Sequence, residues 1–232
     1  SSIFFVIYDT YFYNHHDFIG LVTSPFFILE VKMNTLVIAS HNLGKVKEFQ
    51  DLLSDLGIIV KSLKDYPDFK EIEETGETFM ENALLKAKAV AEFTGHLSLA
   101  DDSGLVVHYL DGAPGIYSAR YAGVEKNDDK NNLKLLHEMR FAFNRDRDAQ
   151  FECAIALCDK NGYQKIVSGI LEGSILHSPR GNNGFGYDSL FYIEELQKTT
   201  AELTLEEKNK ISHRGKATKE AIAFIRGYFE QI

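Results

Sequence analysis

The spacing of apolar residues changes along the chain, and each change marks an element. Asn34–Ala39 is a short, almost wholly apolar run, the pattern of a buried strand. Val46, Phe49, Leu53 and Leu56 then recur every three or four residues, predicting a helix from about Leu43 to Leu56 that Gly57 ends. Ile58–Val60 reads as a second strand. Phe79, Ala83, Ala87 and Ala91 line one face of a helix through Phe93, with Thr78 and Glu81 as a capping box and Gly95 behind it. Leu97–Ala100 and Leu105–His108 read as short strands on either side of an acidic turn, and a polar helix is expected over Asp128–Arg140. Phe151–Cys158 and Gln164–Leu171 form a hairpin pattern about Asp159–Gly162. A last helix is expected over Lys216–Phe229. Strands and helices alternate first and a hairpin follows, which predicts an α/β fold with a mixed central sheet flanked by helices.

Residues 1–32 do not share this pattern. They hold nine of the 28 Phe and Tyr residues, in apolar runs broken by Asp9, Asn14–Asp17 and Pro25. None of these runs approaches the roughly 20 residues that span a bilayer. A basic start and a small-residue cleavage site, the marks of a signal peptide, are missing. The expectation is an aromatic-rich extension over 1–32, outside the chemistry, with the functional domain over 33–232 and Met33 as its start. Aromatic residues in such numbers would make a loose tail adhesive, so the extension is expected to be at least partly packed.

The whole chain has 232 residues, 44% apolar and 25% charged, enough for one large domain with a substantial core. Its net charge of −9 argues against a broad nucleic-acid surface. It does not argue against a single nucleotide, which needs only a few local cations and a metal ion. Cys153 and Cys158 lie five apart in one expected strand, hence on opposite faces and poorly placed for a bridge. Two buried thiols in a reducing, cytoplasmic setting is the resulting expectation.

Candidate chemistry sits in five segments. Asp101 and Asp102, ahead of Ser103 and Gly104, could hold a hard cation or take a proton from water; taken alone, such a pair is more often a solvated turn. Ser40, His41, Asn42, Leu43, Gly44 and Lys45 make a strand–turn–helix start, where free amides and a lysine favour phosphate. The spacing is not that of a Walker A loop, and an ordinary capped helix fits too. Glu73 and Glu74 precede a helix, where acids complement the dipole or join a metal site. Phe185, Gly186, Tyr187 and Asp188 follow two further glycines in a tightly bending loop. Phe185 or Tyr187 could stack on a base and Asp188 could accept a ring N–H, or Tyr187 could simply be core. Lys208, His213 and Arg214 gather between two helical stretches as possible contacts to a base or phosphate, or as a solvated cationic face.

Taken in order, Ser40–Lys45, Glu73–Gly76, Glu81–Ala83, Ala100–Gly104, Gly112–Arg120, Phe185–Asp188, Glu207–Lys208 and Ser212–Arg214 resemble the Ham1-like inosine/xanthosine triphosphate pyrophosphatase family. The resemblance runs from Met33 to the C-terminus. It departs mildly at His41, where a small residue is common. It implies a two-lobed α/β fold with a nucleotide-binding cleft, and hydrolysis of ITP, dITP and XTP to the monophosphate and pyrophosphate. It also implies Mg²⁺ and a homodimer; the acidic net charge and the short apolar runs are what speak against a nucleic-acid or membrane partner. By the same resemblance, Asp102 is the general base and a metal carboxylate, with Asp101 and Glu73 or Glu74 assisting at the metal. Ser103 contacts substrate, residues 40–45 cradle phosphates, and Phe185–Asp188, Lys208, His213 and Arg214 hold the base. A nucleotide sensor without hydrolysis, or a pyrophosphatase acting on modified pyrimidine nucleotides, are the alternatives.

Overall fold

The computed structural model describes residues 2–5, 29–32, 34–70 and 72–230. By contact density the chain falls into two compact units, Ser1–Asn34 and Thr35–Ile232. In the first, β1 (Ser2–Phe5) and β2 (Leu29–Lys32) pair antiparallel. Met33, and most of the aromatic runs expected to pack, lie outside the described residues.

The second unit carries β3 (Thr35–Ile38), α1 (Leu43–Leu52), β4 (Ile59–Ser62), α2 (Phe79–Thr94) and β5 (Leu97–Val107). It continues with α3 (Asp128–Glu138), β6 (Asp148–Cys158), β7 (Gln164–Ile175), β8 (Phe191–Ile193) and β9 (Lys198–Thr199), then α4 (Leu205–Ile211) and α5 (His213–Glu230). The seven strands of this unit form one sheet in the order β4-β3-β5-β6-β7-β8-β9. β3 runs parallel to β4 and β5, and every later pairing is antiparallel. The mixed α/β sheet expected from the sequence is the one observed.

Three apolar clusters divide the unit into two lobes. On one face of the sheet Val46, Phe49 and Leu53 of the first helical segment and Ala217, Ala221 and Ile225 of α5 pack on Leu36, Ile38, Leu99 and Ile155. On the other face Ala83, Ala87, Val90 and Ala91 of α2 cover Val37, Ala100, Ala154 and Ala156. The small side chains of that α2 stripe let the helix lie close to the sheet. Beyond them, Leu105, Val107, Phe151 and Leu171 enter a third cluster with Leu135 and Met139 of α3, and with Tyr187, Leu190 and Phe191. β5, β6 and β7, at 11, 11 and 12 residues, therefore run through both lobes. Cys153 joins the first cluster and Cys158 the α2-side cluster, both as free buried thiols on opposite faces, as their spacing predicts.

Three local expectations are corrected. The acidic pair does not sit in a turn between two short strands: β5 is continuous, and Asp101 and Asp102 pair opposite Ile155 and Ala154 of β6. Gly104 serves close approach rather than reversal. A Cβ there would run into the Gly115 carbonyl and lie 2.5 Å from Ser118 Oγ, so glycine lets the 115–118 segment press on the strand. At α2, Thr78 accepts the Glu81 amide at 3.2 Å, but the Glu81 carboxylate turns to the Glu77 amide at 2.7 Å, which leaves the expected box unclosed. α5 starts at His213 rather than Lys216, with Ser212 Oγ accepting the Gly215 amide at 3.0 Å. The Ser212–Arg214 motif is thus a helix N-terminus.

Candidate active site

A cleft of about 380 Å³ opens where β5 passes from one lobe to the other, within the size range of small-molecule sites. Residues from all five expected segments line it, among them Ser40, His41, Asn42, Lys45, Asp101, Asp102, Ser103, Phe185–Asp188, Lys208, His213 and Arg214.

Successive residues of a strand point to opposite faces, and this separates the two aspartates. Asp101 faces the α1/α5 side. Its Oδ2 lies 3.0 Å from Lys45 Nζ, accepts Arg214 Nη2 at 2.9 Å and accepts Ser103 Oγ at 3.0 Å. Burial would raise this carboxyl, but Lys45, Arg214 and Lys86 outweigh burial and hold it far below the usual carboxylate range. Asp101 is a fixed anion. Asp102 faces α2. Its Oδ1 accepts Lys86 Nζ at 2.9 Å, while Oδ2 is buried with no hydrogen-bond partner. Burial raises its pKa and Glu74 adds to the rise; Lys86 and Lys45 only partly offset them. A carboxylate lifted in this way, with one free oxygen, is suited to accept a proton.

Lys86 Nζ also pairs with Glu74 Oε1 at 3.0 Å, so the carboxylates of Glu74 and Asp102 converge on one ammonium. Asp102, Asp101 and Glu74 together raise the Lys86 pKa against its burial. Among the described residues no group of three or more His, Cys, Asp or Glu is arranged to hold a metal ion. Two converging carboxylates with a partnerless buried oxygen are nevertheless a donor set for a hard cation that keeps most of its waters. Glu73 is exposed and does not line the cleft, and Asp101 contributes at most its partnerless Oδ1.

The phosphate-side loop is ordered by its own side chains. Asn42 caps α1, accepting the Lys45 amide at 3.1 Å, and Ser40 Oγ accepts the Asn42 amide at 3.1 Å. Lys45 is thereby aimed at Asp101. Leu43 is exposed at its side chain and does not line the cleft, so only its backbone belongs to the turn. Gly44 matters for its missing side chain: a Cβ would lie 2.5 Å from Cδ1 of Phe185.

On the base side, positive φ at Gly181, Gly184 and Gly186 gives the tight bends the sequence suggested. Phe185 is half-buried, with Lys208 Nζ 4.9 Å and the Arg214 guanidinium 5.8 Å from its ring centre. Tyr187 is core, buried with its hydroxyl on the Ser118 carbonyl at 2.9 Å. Asp188 is already committed. One oxygen accepts Lys208 Nζ at 2.6 Å and the Phe185 amide at 2.9 Å, and the other accepts Thr200 Oγ1 at 2.8 Å. These bonds fix the loop and Lys208 around a carboxylate that lines the cleft. His213 is buried, stacks on Phe151 with ring centres 4.9 Å apart, and has a partnerless Nδ1. Burial, then Arg214 and Lys208, push its pKa well below the usual value, so it is a neutral imidazole.

Three participants were not singled out from the sequence. Glu48 of α1 is 3% exposed, accepts Lys208 Nζ at 2.9 Å and pairs with Arg214 Nη1. Burial would raise it, yet Arg214 and Lys208 bring it below the usual range. Lys86 and Arg120 are the others; Arg120 donates to Glu74 Oε2 at 2.9 Å. Glu48 follows Lys45 by three residues on one helix face, and Lys86 lies beside Ala83 and Ala87 on a buried stripe. A charge on a packed face is the signal that marks both.

The Ham1 family model matches residues 36–224. A dITP/XTP pyrophosphatase of an Exiguobacterium strain is 53% identical over 196 residues, covering 83% of this chain and 99% of the relative. One from Geobacter sulfurreducens is 53% identical over 185 residues, covering 80% and 93%. A solved Ham1 protein from Coxiella burnetii superposes with a TM-score of 0.76 at 44% identity, over 84% of this chain and all of that one. The cleft described above lies inside the matched region, and the chain belongs to the Ham1 family.

Proposed function

We propose that this chain hydrolyses non-standard purine nucleoside triphosphates of the dITP, ITP and XTP class to the nucleoside monophosphate and pyrophosphate. The observation that carries the reading is Asp102: a buried carboxylate with a raised pKa and a free oxygen, beside the cation-rich wall of a nucleotide-sized cleft. The relatives named dITP/XTP pyrophosphatase support the substrate class.

In this reading the triphosphate lies along Ser40–Lys45 and Lys86, and the base enters between Phe185 and the Lys208–His213–Arg214 wall. Asp102 takes the proton of the water that attacks the α-phosphorus, and Lys45 and Lys86 stabilise charge developing on the leaving pyrophosphate. Asp101 stays ionised and fixes Lys45 and Arg214 in place. Glu74 and Asp102 would hold a divalent cation, Mg²⁺ being the hard ion their oxygens suit, and it would supply further charge neutralisation for the phosphates. Asp101, through its partnerless Oδ1, is the auxiliary candidate for that ion, and Glu73 stands off the cleft.

Selectivity follows from donors. Lys208 and Arg214 carry only N–H groups, which match a 6-oxo acceptor and leave the 6-amino group of adenine facing donors. A mismatched buried pair of that kind costs roughly 1–3 kcal/mol per unpaired group. The buried free thiols support a reducing, cytoplasmic setting, and the acidic net charge argues against a nucleic-acid partner. Among the described residues no helix is long and apolar enough to cross a membrane. Exposed Leu133, Phe141 and Phe143 support an apolar contact, which we read as that of a homodimer.

The test is pyrophosphate release from dITP, XTP and dATP with Mg²⁺. Fast release from the first two and slow release from dATP is expected; equal rates on all three would overturn the substrate class.

A further inference from the structure

Arg120 stands on the cleft wall with part of its guanidinium unused. It closes the short helical segment Gly115–Arg120 that Gly104 allows to press on β5. That segment is anchored beneath Arg120: Ser118 Oγ accepts the Leu105 amide at 2.8 Å and donates to the Gly115 carbonyl at 2.7 Å, and the Ser118 carbonyl accepts Tyr187 Oη at 2.9 Å. The side chain is 28% exposed and lines the cleft. Its Nη1 donates to Glu74 Oε2 at 2.9 Å, and its guanidinium carbon lies 5.2 Å from the Tyr117 ring centre. Its Nε and Nη2 have no hydrogen-bond partner among the described residues.

Glu74 therefore carries two cations, Lys86 on Oε1 and Arg120 on Oε2. One would neutralise it. A cation held by Glu74 and Asp102 would take the carboxylate oxygens on which both now rest, leaving an ammonium and a guanidinium facing the same space. A guanidinium presents paired N–H groups in a plane that matches two oxygens of a phosphate, which an ammonium does not. From this geometry we infer that Arg120 is a substrate-contacting residue. It clamps the terminal phosphates of the bound triphosphate, and the pyrophosphate product, through Nε and Nη2.

The inference rests on the reaction proposed above, and its test is separable from that reaction. Binding of inorganic pyrophosphate and of dIMP is measured by titration calorimetry in Mg²⁺ for the wild-type protein, Arg120→Gln and Arg120→Lys. The expected result is pyrophosphate affinity at least tenfold weaker in Arg120→Gln and partly restored in Arg120→Lys, with dIMP affinity within twofold in both. Half-saturating Mg²⁺ in dITP turnover is expected to stay within twofold. Unchanged pyrophosphate affinity overturns the inference. So does an equal loss of dIMP or Mg²⁺ affinity, since that would make Arg120 a support for Glu74 or for the fold. If the wild-type protein released no pyrophosphate from dITP, the reaction would fall while the pyrophosphate comparison still decided Arg120.

Discussion

Lys86 Nζ lies 2.9 Å from Asp102 Oδ1, so the carboxylate best placed to take a proton shares its ammonium with Glu74 at 3.0 Å. Burial raises Asp102 and Lys86 lowers it. Removing Lys86 leaves burial and the Glu74 charge unopposed except by Lys45, so Asp102 would bind its proton at higher pH. In Lys86→Met the acidic limb of the kcat/KM profile for dITP should therefore move to higher pH, with kcat lowered by roughly 10²-fold through loss of phosphate stabilisation. A profile that keeps its acidic limb in place would separate Lys86 from the base.

Asp102→Asn tests the base itself. Asparagine keeps the shape but accepts no proton, and Lys86 retains Glu74 and Asp101 as counter-charges. Turnover should fall by roughly 10²–10⁴-fold, while dITP affinity measured by calorimetry stays within a fewfold. Turnover within tenfold of wild type would remove Asp102 from the role.

What could be read from the sequence, and what could not, follows from how far each interaction reaches. β3, α1 and the hairpin of β6 and β7 rest on local periodicity and turn residues, and they form close to where that pattern places them. β5 was misread because Asp101, Asp102 and Gly104 are turn-like in isolation. The charges of the two aspartates are tolerated inside a strand through Lys45, Arg214 and Lys86, which lie from 16 to 113 residues away in the chain. Glu48 and Lys208 are 160 residues apart, beyond any window of periodicity. Tyr187 lies in the loop the glycines mark, but a motif cannot tell an aromatic ring that meets a ligand from one that ties the loop to Ser118.

Glu48 links the helix that begins at the phosphate loop to both base-side cations, and its removal should be felt in stability. Its pKa is lowered on folding, so its contribution is fully present above its ordinary value of 4.5 and is lost as pH falls through its lower folded value. Glu48→Gln leaves Lys208 with Asp188 and Arg214 with Asp101. The loss near pH 7 should therefore be about 3 kcal/mol, the lower end for a broken buried pair. The variant's stability should also depend less on pH below 4.5 than that of the wild type. Urea unfolding at pH 7 and across the acid range measures both, and parallel curves for the two proteins would contradict the assignment.

Gly44 brings the phosphate loop close against Phe185 of the base-side loop. A Cβ on residue 44 would lie 2.5 Å from Cδ1 and 2.8 Å from Cε1 of Phe185, closer than carbon atoms approach. The ring is the part able to move, since the Phe185 amide is tied to Asp188 at 2.9 Å. Gly44→Ala should therefore turn the ring away from Lys208 and Arg214 without disturbing Lys45, whose amide is held by Asn42. With Phe185 stacked on the base, dITP should show a raised KM, by roughly 5- to 150-fold for a stacking loss of about 1–3 kcal/mol, with kcat little changed. Phe185→Ala should do the same, and Gly44→Ala should add little in that background, because the clash it creates is gone. Inorganic pyrophosphate affinity should be unaffected in all three proteins. A fall in kcat with KM unchanged would instead place Phe185 near the reacting phosphate, and additive effects of the two substitutions would show that Gly44 acts through the phosphate loop alone.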